Sequence, residues 1–92
     1  MKFEFDQEKS EANKAKHGID FDGARELWND DEAIEYDVCA EPEPRFAVIG
    51  RIGSKHWTAI VTYRGDLIRI ISVRRSRKEE VKRYEENIDG RI

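Results

Sequence analysis

The chain opens on an apolar–polar–apolar alternation, Phe3-Glu4-Phe5, which predicts a short strand at a sheet edge. Asp6 then stands where an N-cap is wanted, and the pattern predicts a helix from Gln7 to His17. Ala12 and Ala15 are its only apolar interior residues, so it reads as a polar helix. Gly18 suits the left-handed position that closes it. Asp20 opens a second helix, in which Phe21, Ala24, Leu27 and Trp28 recur at helical spacing and predict a core-facing stripe.

The period then changes from helical to alternating. Ile34, Tyr36 and Val38 are separated by charged residues, as in a half-exposed strand. Ala40 to Pro44, with two prolines and two glutamates, is a loop. Phe46–Ile52 and Trp57–Tyr63 are strands joined at Gly53-Ser54, a hairpin turn signal. A second tight turn, Arg64-Gly65-Asp66, leads into Leu67–Arg74, which is apolar on both faces and therefore belongs inside the sheet. Simple alternation along that strand puts Ser72 and Arg74 on one face, with Arg69 and Val73 on the other. Ser76-Arg77-Lys78-Glu79 has capping-box form, and Val81, Tyr84 and Ile88 give the following helix a narrow apolar stripe. The expected architecture is a single α+β domain over residues 1–92: strand, two helices, an antiparallel meander and a final helix.

Composition narrows the classes without naming one. At 92 residues the chain is too short for two domains and buries a modest core. Its aromatic and β-branched content excludes a disordered chain despite 40% charged residues. One cysteine, Cys39, allows neither an internal disulfide nor a cysteine cage for a metal, which fits a reducing cytoplasm. The first six residues are too acidic and too poor in apolar run for a signal peptide, and no stretch approaches a membrane span.

Charge changes the picture more. Residues 1–46 carry 14 acids and 6 bases, whereas residues 47–92 carry 6 acids and 11 bases. The basic half suggests an anionic partner, although the two halves can also neutralise one another across the fold. Between Arg64 and Tyr84 there are eight bases against three acids. Arginine suits phosphate because its planar fork donates two hydrogen bonds and stays charged. Arg69, Arg74 and Arg75, on or just after an interior strand, are the strongest candidates. Arg77, Lys78, Lys82 and Arg83 read as a solvated strand end and helix face. His17, next to Lys16, either complements its helix dipole or serves as a general base. His56 reads as structural or exposed. Asp30, Asp31 and Glu32 form a run with no mark of a hydrolytic pair, and there is no glycine-rich phosphate loop.

Several stretches together resemble the BrnT family of toxins from type II toxin–antitoxin modules. They are Phe3-Glu4-Phe5-Asp6, Lys9, Asn13, Lys16-His17-Gly18-Ile19 and Phe21; Arg45-Phe46 and Ile49-Gly50; and Val61-Thr62-Tyr63, Ile68-Arg69-Ile70-Ile71-Ser72-Val73-Arg74-Arg75 and Tyr84-Glu85. The Arg64-Gly65-Asp66 turn is shorter than the family's usual loop at that place. The resemblance implies a RelE-like fold, with helices on a twisted antiparallel sheet. It implies a cytoplasmic, metal-independent endoribonuclease that needs no cofactor and halts translation. It further implies an RNA substrate, a ribbon–helix–helix antitoxin that carries the complex to DNA, and assembly as a homodimer or a heterotetramer with that antitoxin. On this reading His17, Arg64, Arg69, Arg74 and Tyr84 are the catalytic candidates, with Lys16, Arg75 and Arg77 contacting RNA. Two readings of the same basic segment stay open beside it: a non-catalytic RNA-binding module, and a module that only docks an antitoxin.

Overall fold

The protein is described from a computed structural model covering residues 2–89. Strand β1 (Lys2–Glu4) is followed by helix α1 (Gln7–His17), a short helix α2 (Phe21–Ala24) and a 3-10 helix (Arg25–Asn29). Then come β2 (Ile34–Cys39), β3 (Arg45–Ile52), β4 (Lys55–Arg64), β5 (Leu67–Arg75) and helix α3 (Lys78–Asp89). The five strands form one sheet in the order β1-β5-β4-β3-β2. β2 to β5 make the expected antiparallel meander, but β1 lies parallel to β5. The sheet is therefore mixed, not wholly antiparallel. β1 returns through no hairpin, so nothing in its short alternation could show its direction.

The limits of α1 follow from its caps. The Asp6 carboxylate accepts the Lys9 N–H, and Gly18 at φ +85° closes the helix by donating to the Lys14 carbonyl. The face it buries is unexpected: Ser10 and Asn13 are buried while Ala12 and Ala15 are exposed. Both polar side chains replace missing backbone partners. The Ser10 hydroxyl accepts the Phe21 N–H. Pairing of β1 with β5 ends at Glu4 and Arg69, which would leave Val73 open on that side. The Asn13 amide fills the gap, accepting the Val73 N–H and donating to the carbonyls of Val73 and Ile19.

One sheet face carries the core. Phe21, Ala24 and Leu27 pack on Val48, Trp57, Ala59, Val61, Ile68, Ile70 and Val73. The predicted second helix is thus split into α2 and the 3-10 helix, yet its apolar residues are where the spacing put them. On the other face, Ala47, Ile49 and Thr58 are buried where α3 crosses β3. α3 starts one residue later than expected. Arg77 is its N-cap residue, and Glu80 reaches back to the Arg77 N–H at 2.7 Å, while the Ser76 hydroxyl bonds Thr58 at 2.8 Å. Half of the capping box is there, the Glu80 carboxylate accepting the Arg77 N–H, but one residue later than the Ser76 and Glu79 pattern and without a side-chain acceptor at the N-cap.

A bulge in β5 corrects the expected facing of its arginines. Val61 pairs with Ile70 but Ile60 pairs with Ser72, so Ile71 is an extra residue. Arg69 lies opposite Thr62 and Arg74 opposite Thr58. Those threonines are four apart on one strand and share a face, so Arg69 and Arg74 share it too. Val73 turns instead into the core, opposite Ala59.

Candidate functional site

The candidate residues fall into three places. Arg64 and Arg69 stand at the β1 end of the open sheet face, with Glu4 between them. Its Oε1 lies 3.5 Å from Arg69 Nη1 and 3.7 Å from Arg64 Nη1, and Arg64 Nη2 is 3.8 Å from Glu43. A cleft of about 220 Å³ opens here, lined also by Lys9, Arg45, Ile70 and Ile71. Lys9 and Arg45 were not singled out for chemistry by the charge pattern, because the acids around them hide their excess.

Arg74 lies farther along the same face. Its guanidinium meets Glu80 end-on, Nη1 to Oε1 at 2.7 Å and Nη2 to Oε2 at 2.9 Å, and Nη1 also donates to the Arg75 carbonyl at 3.4 Å. Burial works against the Glu80 charge, but Arg74 and the Arg77 N–H outweigh it and hold the carboxyl down to about 2. The bonds to Glu80 raise Arg74 in turn. The Tyr36 hydroxyl donates to Glu80 as well, and Arg83 lies over the Tyr36 ring, its guanidinium carbon 4.1 Å from the centroid. Burial and the Glu80 charge raise the Tyr36 hydroxyl. None of Glu80, Tyr36 or Arg83 stood out in the sequence. An N3 glutamate in a shifted capping box was the one available signal for Glu80.

Arg75 and Arg77 are exposed; Arg75 turns to the opposite sheet face from Arg74, over Trp57 at 5.5 Å. α1 runs alongside β5 in the same direction: Lys9 lies by Ile70 and Ile71, and Asn13 by Val73. Lys16 and half-buried His17 are one turn farther, about 6 Å along the axis, toward the Arg74–Arg75 end. The C-terminal end of β5 thus carries Arg74 and Arg75 on opposite faces, with Arg77 just beyond it and α1 running toward that end.

Tyr84 is apart from both groups. It is buried, packs edge-on against half-buried His56 with ring centroids 5.0 Å apart, and donates its hydroxyl to Asp30 Oδ2 at 2.8 Å. Burial and the Asp30 carboxylate push the hydroxyl up to about 12. That setting suits a hydrogen-bond donor and works against a base at neutral pH. Asp30 is a structural hub, also accepting the N–H groups of Arg51 and Glu32. Burial would raise its carboxyl, but those amides and Tyr84 hold it below the ordinary value. Among the described residues, no three of His, Cys, Asp and Glu gather as metal ligands. No helix among them is long and apolar enough to cross a membrane.

Rigid guanidiniums on one face of a sheet suit the handling of a phosphodiester. The sequence model of one family, described as the ribonuclease toxin BrnT of type II toxin–antitoxin systems, matches residues 5–80. The chain belongs to this family. The match runs from Phe5 through both arginine groups to Glu80, so all but one of the candidate residues lie inside it, Tyr84 being beyond its end. The BrnT family names the activity as that of a ribonuclease and, as a type II toxin, implies an antitoxin partner. No curated protein matches the chain.

Proposed function

We propose that this BrnT family member is a metal-independent endoribonuclease of RelE-like fold that cleaves RNA in the cytoplasm and so inhibits translation. The observation that carries this reading is the state of Arg74. Glu80 occupies the Nη1–Nη2 end of its guanidinium, which leaves the Nε–H and the second Nη2–H as a two-pronged edge with no acceptor among the described residues. A guanidinium clamped at one edge and free at the other is preorganised for a phosphate oxygen pair.

The reaction follows from RNA's own chemistry. The 2′-oxygen attacks the adjacent phosphorus as its proton passes to a base. The bond from phosphorus to the 5′-oxygen breaks as that oxygen takes up a proton, leaving a 2′,3′-cyclic phosphate and a 5′-hydroxyl. Arg74 and Arg69 balance the added charge on phosphorus, and Arg64, Arg75, Arg77 and Lys16 hold flanking phosphates. His17 is the candidate for proton transfer. Tyr84 serves as a donor that fixes Asp30 and the packing of α3. The antitoxin is a ribbon–helix–helix protein, which brings DNA to the complex and joins it in a heterotetramer.

Purified chain incubated with ribosome-free RNA, with and without EDTA, tests the reading. Cleavage that survives EDTA and leaves cyclic phosphate ends is the expected result. Arg74→Lys keeps a charge for Glu80 but loses the free edge. Its cleavage rate should fall by about 10²–10³ with the circular dichroism spectrum unchanged. Full activity in that variant, or binding of RNA without any cleavage by the native chain, would overturn the assignment.

A further inference from the structure

The cleft at the β1 end sets four bases against three acids, and two of the bases stand outside its ion pairs. The four bases there are Lys9, Arg45, Arg64 and Arg69. Glu4 and Glu43 are taken up by Arg64 and Arg69, at distances of 3.5–3.8 Å that are long for such pairs. Asp6 is spent on capping α1 through the Lys9 N–H. Among the described residues no ion pair holds Lys9 or Arg45. Among the described residues the Nε of Arg45 is buried and has no hydrogen-bond partner, and Glu4 Oε1, between Arg64 and Arg69, is likewise buried without a hydrogen bond. A buried, charged donor without an acceptor costs free energy unless a ligand supplies one.

The lining is equally specific. Arg45 opens β3, Arg64 closes β4, Arg69 lies on β5 and Lys9 on the first turns of α1, so four separate elements fix the donors around one space. Ile71, the half-buried extra residue of the bulge, gives that space a small apolar wall, whereas the Ile70 side chain lies in the core. Convergent guanidiniums with an apolar wall match a phosphate with its sugar better than a lone carboxylate. Arg69, at the cleft, and Arg74 share one face of β5. Four strand steps separate Arg69 from Arg74 once the bulge is discounted, about 13 Å, the span of a few nucleotides.

We propose that this cleft is a second phosphate subsite, in which Arg45 and Lys9 grip the backbone of a single-stranded RNA a few nucleotides from the phosphate held at Arg74. The inference rests on the ribonuclease reading and deepens it. Arg45 supplies the buried donor, Lys9 the outer charge, and Glu4 spaces Arg64 and Arg69 so that their forks stay open toward the cleft.

The test uses a 12-nucleotide 2′-O-methyl RNA, which binds but cannot be cleaved, and reads its anisotropy against salt. Arg45→Gln and Lys9→Gln should each weaken binding by about 3–10-fold and lower the salt slope by about 0.7, one phosphate contact. Lys82→Gln, which removes an equal charge on α3, should stay within about twofold if the effect is local. Because Lys9 is exposed, its variant keeps the test valid if Arg45→Gln unfolds. Unchanged binding in both cleft variants, while native protein still binds and cleaves RNA, overturns the subsite and leaves the ribonuclease reading intact. Native protein that neither binds nor cleaves RNA overturns both. If inorganic phosphate or polyglutamate binds in a manner dependent on Arg45 while RNA affinity does not depend on it, the cleft serves a free anion or an acidic peptide, and the proposal is wrong.

Discussion

Glu80 sets the chemistry of the site although it touches no candidate substrate position. It accepts from Arg74, Tyr36 and the Arg77 N–H, so one carboxylate fixes a strand arginine, an edge-strand tyrosine and a helix start. Its folded pKa of about 2 lies below the ordinary carboxyl value of 4.5. Its stabilisation is therefore complete above pH 4.5 and is lost as pH falls toward 2. Integrated over that window the linkage is on the order of 3 kcal/mol. Glu80→Gln should lower the melting temperature at pH 7 and flatten its fall between pH 4.5 and pH 2. A wild-type acid profile retained by the variant would show that other carboxyls control it. At this scale the sequence was informative about types and poor about partners. The arginines stood out in the sequence as candidates for phosphate. The tie from Arg74 to Glu80 did not, because the capping pattern could be read one residue earlier.

At the scale of elements, the caps and turns were legible and the polar packing was not. Asp6 and Gly18 bound α1 at the residues the pattern gave, and Gly53 and Gly65 turn both hairpins at positive φ. α1 nevertheless docks through Ser10 and Asn13, and a periodicity argument built on apolar residues cannot see such a face. The bulge at Ile71 escaped for a related reason. A strand apolar on both sides carries no phase, so an inserted residue leaves no mark in the pattern. Asn13→Ala strips partners from the Val73 N–H and from two buried carbonyls. It should cost about 2–4 kcal/mol in urea unfolding and speed hydrogen exchange at the Val73 amide. A loss below about 0.5 kcal/mol would mean that α1 is held by other contacts.

Across the whole molecule, the acidic first half and basic second half meet. Ion pairs from Lys2 to Asp66, from Glu4 to Arg64 and Arg69, and from Glu43 to Arg64 all join the two. Neutralisation is partial: Arg74 is paired with Glu80, whereas among the described residues no ion pair holds Arg75 or Arg77. The layers are close-set where the 3-10 helix crosses β3. A Cβ on Gly50 would come within 3.0 Å of Leu27 and 3.3 Å of Asp30. Gly50→Ala should therefore push the 3-10 helix off the sheet and destabilise the fold by about 1–3 kcal/mol. It should also loosen Tyr84, whose hydroxyl bonds the displaced Asp30, which a rise in tyrosine exposure to solvent quenchers would report. Unaltered stability would show that the layer can shift freely.

Asn13 is in effect a peptide unit borrowed from a helix. Its carboxamide presents to Val73 both the donor and the acceptor that, in a parallel ladder, two residues of a longer β1 would supply. A three-residue strand can thus serve the edge of a nine-residue one, because the ladder is continued by a side chain arriving from the next element. Helix and strand are joined there as neighbours in one hydrogen-bonded lattice, so α1 and its terminal histidine keep step with β5. The spacing between His17 and the β5 arginines is then inherited from backbone pairing, and does not depend on how well apolar surfaces happen to fit.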